Sequence, residues 1–138
     1  MGWYFGFKMH LVIDTRENIL KMRITSGNVS DRNYDLVLDL CEELTGIIVG
    51  DAGYDSIKIR TALMEKGLKY LTGTKKTTKK LVERGYHELK KLRQQIETVN
   101  ACIKYRRGCA SSLPRSTNGY LMRYIDAVLS YSILKAFF

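Results

Sequence analysis

Proline occurs once in these 138 residues, tryptophan once and histidine twice, and the three cysteines are an odd set without a CxxC pair. Each scarcity closes a class of function. With a single proline and 45% hydrophobic residues, the chain is neither a proline-rich linker nor a disordered tail, and it is long enough for one domain with a genuine core. Cys41, Cys102 and Cys109 supply no disulfide framework, and His10 and His87 have no cysteine or histidine at ligand spacing, so zinc is not expected. Gly50 and Gly53 form no GxGxxG, and no Gly-Lys-Ser/Thr follows them, which excludes the common phosphate-binding glycine loops. No charged-then-apolar leader with a small-residue cleavage site opens the chain, and unpaired cysteines suit a reducing compartment, so a cytoplasmic location is expected. The longest apolar stretch, 120–138, contains Arg123, Asp126 and Lys135, too much charge for a membrane span; a buried helix is expected instead. No internal repeat is present.

What the chain does have is positive charge, concentrated at one end. The net charge is +9, yet residues 1–68 hold 8 Lys and Arg against 10 Asp and Glu, whereas residues 69–138 hold 15 against 4. A one-sided field of this kind is the footprint of a protein that binds a polyanion such as DNA or RNA, although solubility and acidic lipids also favour basic surfaces. Lys75, Lys76, Lys79 and Lys80 in a polar loop at 72–80, with Arg106, Arg107 and Arg115 farther on, are candidate phosphate-tracking cations. The bland alternative for each is solvation.

Apolar residues occupy every odd position from Trp3 to Ile13, with Lys8, His10 and Asp14 on the even side, which predicts a strand buried on one face. Trp3, Phe5 and Phe7 are then core rather than base-stacking residues. DTREN (14–18) supplies a turn, with Asn18 suited to a left-handed conformation, before Leu20, Met22 and Ile24 alternate with Lys21, Arg23 and Thr25 in an antiparallel partner. SGNVSD ends in a helix cap, and Leu36, Val37, Leu40, Cys41 and Leu44 recur at helical spacing up to Gly46, placing Cys41 in the core. Ile47, Ile48 and Val49 predict a strand buried on both faces, a central parallel position in a mixed sheet. Asp55 or Ser56 caps a second helix that Gly67 terminates, and KYLTG offers one more strand. The predicted order is β-β-α-β-α-β, an α/β fold. One domain, 1–138, is expected: 1–74 forms the sheet and two helices, and 75–138 the basic loop, a long helix near Glu83 to Arg107, and the C-terminal helix.

Two acids stand out in this frame. Asp51 lies at the carboxyl end of the predicted central strand, where α/β sheets place their ligands. In the long helix, Leu89, Leu92, Ile96, Val99 and Ile103 make one apolar stripe that packs on the sheet, while Arg93, Glu97, Asn100 and Lys104 cluster on a neighbouring face. Glu97 alone reads as one half of a surface ion pair. With Asp51 it becomes half of an oxygen-ligand site for Mg²⁺ or Mn²⁺, ions that take a few carboxylates, waters and substrate phosphate rather than a full protein cage.

The segments WYFGFKMHLVID (3–14), ITSGNVSD (24–31), VGDAGYDS (49–56) and RQQIETVNACIK (93–104) together resemble bacterial insertion-sequence transposases of the Asp-Asp-Glu type, over essentially the whole chain. The resemblance implies a ribonuclease H-like mixed sheet flanked by helices, with Asp51 as the second catalytic aspartate, Glu97 as the catalytic glutamate, and Arg93, Glu97 and Lys104 as the signature helix. It implies two divalent ions that activate water or a 3′ hydroxyl for in-line attack on DNA, with insertion-sequence ends and target DNA as partners. It also implies a bacterial, nucleoid-associated protein with no membrane partner and no small-molecule cofactor, paired with further copies of itself or with a full-length transposase. Many relatives carry a tyrosine three residues before the arginine, where this sequence has Lys90; Tyr86 lies one turn earlier. The family's first aspartate belongs to a strand before the WYFGFK strand, and nothing precedes Met1, so a chain lacking that strand and inactive alone is expected. Asp14, at a hairpin, is not a substitute.

Two rivals remain. A non-catalytic DNA-binding remnant that interferes with full-length transposase needs the cations but neither acid. A phosphoacceptor signalling domain also uses a strand-end aspartate, but its repeating βα order lacks the opening hairpin.

Overall fold

The computed structural model describes residues 6–54, 56–72, 86–106 and 116–138. Strands β1 (Phe7–Ile13) and β2 (Ile19–Ser26) are followed by α1 (Tyr34–Leu40), β3 (Gly46–Gly50), α2 (Ile57–Glu65), β4 (Leu68–Thr72), α3 (Tyr86–Ala101) and α4 (Thr117–Phe137). A 3₁₀ turn, Ala52–Tyr54, links β3 to α2, and a π-helical turn, Cys102–Arg106, extends α3. The protein is mixed α/β, with an antiparallel pair β1–β2 and a parallel pair β3–β4. It divides into two compact units, one of 1–27 with 94–138, the other of 28–93.

In the first unit, β1 pairs with β2 from Phe7 opposite Ser26 to Ile13 opposite Ile19, with a bulge between Val12 and Ile13. The bulge changes the expected alternation. An extra residue turns the strand over, so Ile19 joins Met22 against the core while Leu20, expected to face inward, is 49% exposed. On β1, Met9, Leu11 and Ile13 pack on a core of Val99 and Ile103 from α3 and its π turn and of Ala127, Val128 and Tyr131 from α4. Val99 and Ile103 of the predicted apolar stripe therefore pack with strand residues as the spacing predicts. His10 departs from the pattern: expected on the polar side, it is only 2% exposed and shares a 2.9 Å hydrogen bond with Thr25 Oγ1. A buried imidazole needs such a partner.

The turn between β1 and β2 is organised by Asp14. Its Oδ1 accepts from the backbone N–H of Arg16 (2.8 Å) and of Asn18 (2.9 Å), and its Oδ2 accepts from Asn18 Nδ2 (2.9 Å). These bonds hold its carboxyl below the usual carboxylate range, the Asn18 side chain contributing most. The left-handed residue is Glu17, with φ 66°, not Asn18. Its carbonyl accepts from Tyr131 Oη (2.9 Å) and its carboxylate faces Lys135 Nζ at 3.5 Å, while Gln95 donates to the Thr15 carbonyl (3.1 Å). Tertiary anchors thus offset the roughly 1 kcal/mol or more that a left-handed non-glycine costs.

α4 buries one side only. Ala127, Val128 and Tyr131 face the core, while Met122, Leu129 and Ile133 are exposed, so the helix expected to be buried at 120–138 is buried on one side only among the described residues. Its N-cap is Ser116, whose hydroxyl accepts from the Gly119 N–H. No described helix is long and apolar enough to cross a membrane.

In the second unit, α1 is capped by Asn33, whose Oδ1 accepts from the Leu36 N–H at 3.0 Å, rather than by the Asp31 that ends SGNVSD. The helix stops at Leu40, short of Gly46, and Cys41 as its C-cap lies in the core as expected. β3 and β4 run parallel in the register Gly46–Leu68 to Gly50–Thr72, joined through α2. Ile59 and Leu63 of α2, both fully buried, pack with Val37, Cys41, Leu68 and Tyr70. Ser56 occupies the N-cap position of α2, and Gly67, at φ 81°, ends it; Asp55 lies outside the described residues. The central position expected for β3 is not seen: among the described residues it pairs with β4 alone, and Ile47 is 64% exposed. β-Branched composition marks a strand correctly but does not report its rank in the sheet.

Candidate active site around Asp51

Asp51 follows the last residue of β3, where chain direction carries it off the carboxyl end of a parallel pair. The chain then tightens at once into the 3₁₀ turn, closed by the Tyr54 N–H donating to the Asp51 carbonyl at 3.0 Å. This turn presents the Asp51 side chain outward, 68% exposed. Its Oδ1 lies 3.7 Å from Arg93 Nη2, the guanidinium itself 51% exposed. An exposed pair at this distance is worth about 0–1 kcal/mol. A carboxylate and a cation meet here without binding each other tightly.

A second acid borders the turn. A Cβ at Gly53 would stand 3.4 Å from Asp31 Oδ2, an ordinary van der Waals distance, so the Asp31 carboxylate lies close beside the turn. Asp31 was not among the residues singled out from sequence, and its spacing from Asp51 carries no signal of the approach. Tyr54 responds to both acids: burial first, then the negative charges of Asp31 and Asp51, push its phenol up to about 12. It therefore stays a neutral hydroxyl throughout the physiological range.

Of the other residues singled out from sequence, Glu97 is exposed on α3, one helical turn beyond Arg93. It belongs to the first unit, whereas Asp51 and Arg93 belong to the second. Lys104 falls in the π turn, not in α3, so the 100° spacing used to align it with Glu97 does not extend to it. Its Nζ lies 5.4 Å from the centre of the Tyr105 ring. Arg106 closes the π turn, its side chain outside the described ones; Lys75, Lys76, Lys79, Lys80, Arg107 and Arg115 also lie outside the described residues. Among the described residues, no three His, Cys, Asp or Glu side chains gather as a metal-holding group.

Residues 1–113 match the family described as the transposase DDE domain. The chain belongs to that family. No curated protein and no solved structure matches it. Membership implies, at the level of the family, phosphodiester cleavage and transesterification, DNA as the partner and a divalent metal as the usual cofactor. A strand-end aspartate facing a cation is a suitable element of a transposase DDE domain, because the substrate is a phosphodiester and the charge to be managed is negative.

Proposed function

We propose that Asp51 and Glu97 are metal-holding carboxylates of a ribonuclease H-like transposase domain that cleaves insertion-sequence ends and joins them to target DNA. The observation that carries the reading is the Asp51–Arg93 pair. A strand-end carboxylate has a guanidinium against it, a cation where a substrate phosphate would need one. The hairpin followed by a parallel pair with a helical crossover supports the fold assignment.

The donor set fits Mg²⁺ or Mn²⁺. Both acids are exposed hard-oxygen ligands, Asp51 just beyond a strand and Glu97 on a helix, and a weak ion pair offers little resistance to an incoming divalent ion. When bound, such ions supply Lewis-acid stabilisation of the charge that builds on the phosphodiester oxygens. The chain's own groups do the rest. Arg93 holds a non-bridging phosphate oxygen beside Asp51, and Lys104 with Lys75, Lys76, Lys79, Lys80, Arg106, Arg107 and Arg115 tracks the DNA backbone and fixes its register. Tyr54 remains protonated, so its hydroxyl keeps a proton to donate.

The family's first aspartate has no counterpart within 1–138, so these residues supply two of three carboxylates and, by themselves, bind metal and DNA without nicking. A second reading, a DNA-binding remnant that interferes with full-length transposase, draws on the 15 Lys and Arg against 4 Asp and Glu of residues 69–138, which bind DNA with or without a metal. Calorimetric titration with Mn²⁺ separates the two. Asp51→Asn and Glu97→Gln are each expected to weaken Mn²⁺ binding by about tenfold or more, and unchanged affinity in both would leave only the remnant. Mn²⁺-dependent nicking by residues 1–138 would refute the inactivity.

A further inference from the structure

Among the described residues, Tyr70 ties the Asp51 segment to the core of its unit, alongside Tyr54, which packs on the same cluster. Tyr70 stands on β4 opposite Ile48, and Gly50 lies two residues after Ile48 on the same strand face. The ring leans along the strand over Gly50. A Cβ built there would stand 2.5 Å from Tyr70 Oη and 3.0 Å from two ring carbons, so any larger residue at position 50 would displace the ring. Past the glycine, Tyr70 Oη donates to the Tyr54 carbonyl at 3.3 Å. One side chain thus touches the residue before Asp51 and the residue that closes the turn after it.

We infer that Tyr70 is a positioning residue for Asp51, with Gly50 the complement that admits it; the inference rests on the reading of Asp51 as the working carboxylate. Three observations converge. Tyr70 is 5% exposed and packs in the cluster that contains the fully buried Ile59 and Leu63, so the anchor does not move freely. The Asp51 side chain is mostly exposed, so packing does not choose its direction; the backbone that carries it and the Arg93 pair do. A phenylalanine would fill the same core volume, and what tyrosine adds is a buried hydroxyl that needs a partner, which is the turn itself. Tyr70 therefore converts the rigidity of the α2–β4 core into a fixed exit direction for the carboxylate, the precision a phosphoryl-transfer site requires.

The test uses residues 1–138 with Tyr70→Phe, Gly50→Ala and the double variant, read by metal-free nuclear magnetic resonance. In Tyr70→Phe, the thermal midpoint and circular dichroism stay close to the parent. Exchange of the Tyr54 amide, whose N–H closes the turn on the Asp51 carbonyl, however rises by about tenfold as the turn loses the hydrogen bond to its Tyr54 carbonyl, and the three-bond couplings to Asp51 Cγ move further towards a rotamer average. Gly50→Ala shifts the same couplings further, and adding Tyr70→Phe restores part of the loss, because the methyl no longer meets the hydroxyl. Unchanged Asp51 couplings in Tyr70→Phe, strictly additive effects in the double variant, or exchange that rises evenly across the unit would each overturn the inference. A parallel Mn²⁺ titration keeps the two readings apart. If the couplings shift but parent binding is indifferent to Asp51→Asn, the metal assignment fails and the brace holds. If Asp51 governs Mn²⁺ affinity and Tyr70→Phe leaves both affinity and couplings untouched, the brace fails and the metal assignment holds.

Discussion

At the scale of single residues, this protein uses its acids in two different ways. Asp14 closes a turn on itself, and its Asn18 and Arg16 hydrogen bonds favour the charged form. Because its folded pKa lies below the unfolded value, its contribution is present at neutral pH and is lost as pH falls from the ordinary carboxylate range through the lower folded value. Asp14→Ala is expected to lower the urea midpoint at pH 7 and to leave less acid dependence below about pH 4; equal midpoints at pH 7 would show that the turn is held by Gln95, Tyr131 and Lys135 alone. Tyr54 has the opposite sign. Its phenol is raised from 10.0 to about 12 by burial and by Asp31 and Asp51, so its contribution is complete below pH 10 and disappears as pH rises towards 12. Tyr54→Phe should flatten that alkaline loss in a series of thermal melts. Tyr54 and Asp31 were not legible from sequence as neighbours of the candidate site, because a 3₁₀ turn brings them in by a tertiary approach that spacing does not encode, whereas Asp51 was, since a lone carboxylate between a β-branched run and a glycine fits no packing role.

At the scale of elements, periodicity was informative wherever one neighbour decided the pattern and misleading where two did. The 3-4 stripe of α3 correctly predicted Val99 and Ile103 against strands, and odd-position alternation correctly predicted Met9, Leu11 and Ile13. The bulge at Val12 and Ile13 has no signature in the alternation, so Leu20 and Ile19 exchanged places. His10 was misread because its burial follows from Thr25 across the hairpin, a partner that single-strand alternation does not contain. α4 was misread because apolar content on both of its faces resembles full burial, yet the described structure covers only one. The two faces make a direct comparison. Ile103→Ala, at a site with no exposure, is expected to cost about 2–5 kcal/mol in urea unfolding, and Leu129→Ala, half exposed, to stay within about 0.5 kcal/mol. Similar losses at both would mean that the outer face of α4 is covered in solution.

At the scale of the whole molecule, the governing fact is the mismatch between an acidic stretch, which includes Asp51, and a basic one. Residues 1–68 carry two more acids than bases and residues 69–138 carry eleven more bases than acids, a division visible in composition alone. A polyanion is drawn to the second stretch, and on the proposed reading the first meets the same phosphates, an approach that like charge would oppose unless cations intervene. Arg93 at 3.7 Å from Asp51 is one such cation, and a divalent ion would be another. Two separable consequences for binding follow. Alanine at Lys75, Lys76, Lys79 and Lys80 together should weaken duplex binding and flatten the plot of log affinity against log salt by about 3 to 4 units, close to 0.9 for each phosphate that is no longer neutralised. Arg93→Ala leaves one phosphate without its cation, so the slope changes by only about 1, but it also removes a positive charge from beside Asp51, so on the proposed reading Mn²⁺ should bind Asp51 no more weakly, and by Coulomb's law more tightly, than in the parent. Fluorescence anisotropy across a salt series and calorimetry with Mn²⁺ measure the two effects on the same preparations. A fall in Mn²⁺ affinity on losing Arg93 would mean that the guanidinium orients the carboxylate rather than merely neutralising it, and its place would then be with the structural supports of Asp51 instead of the phosphate-binding surface.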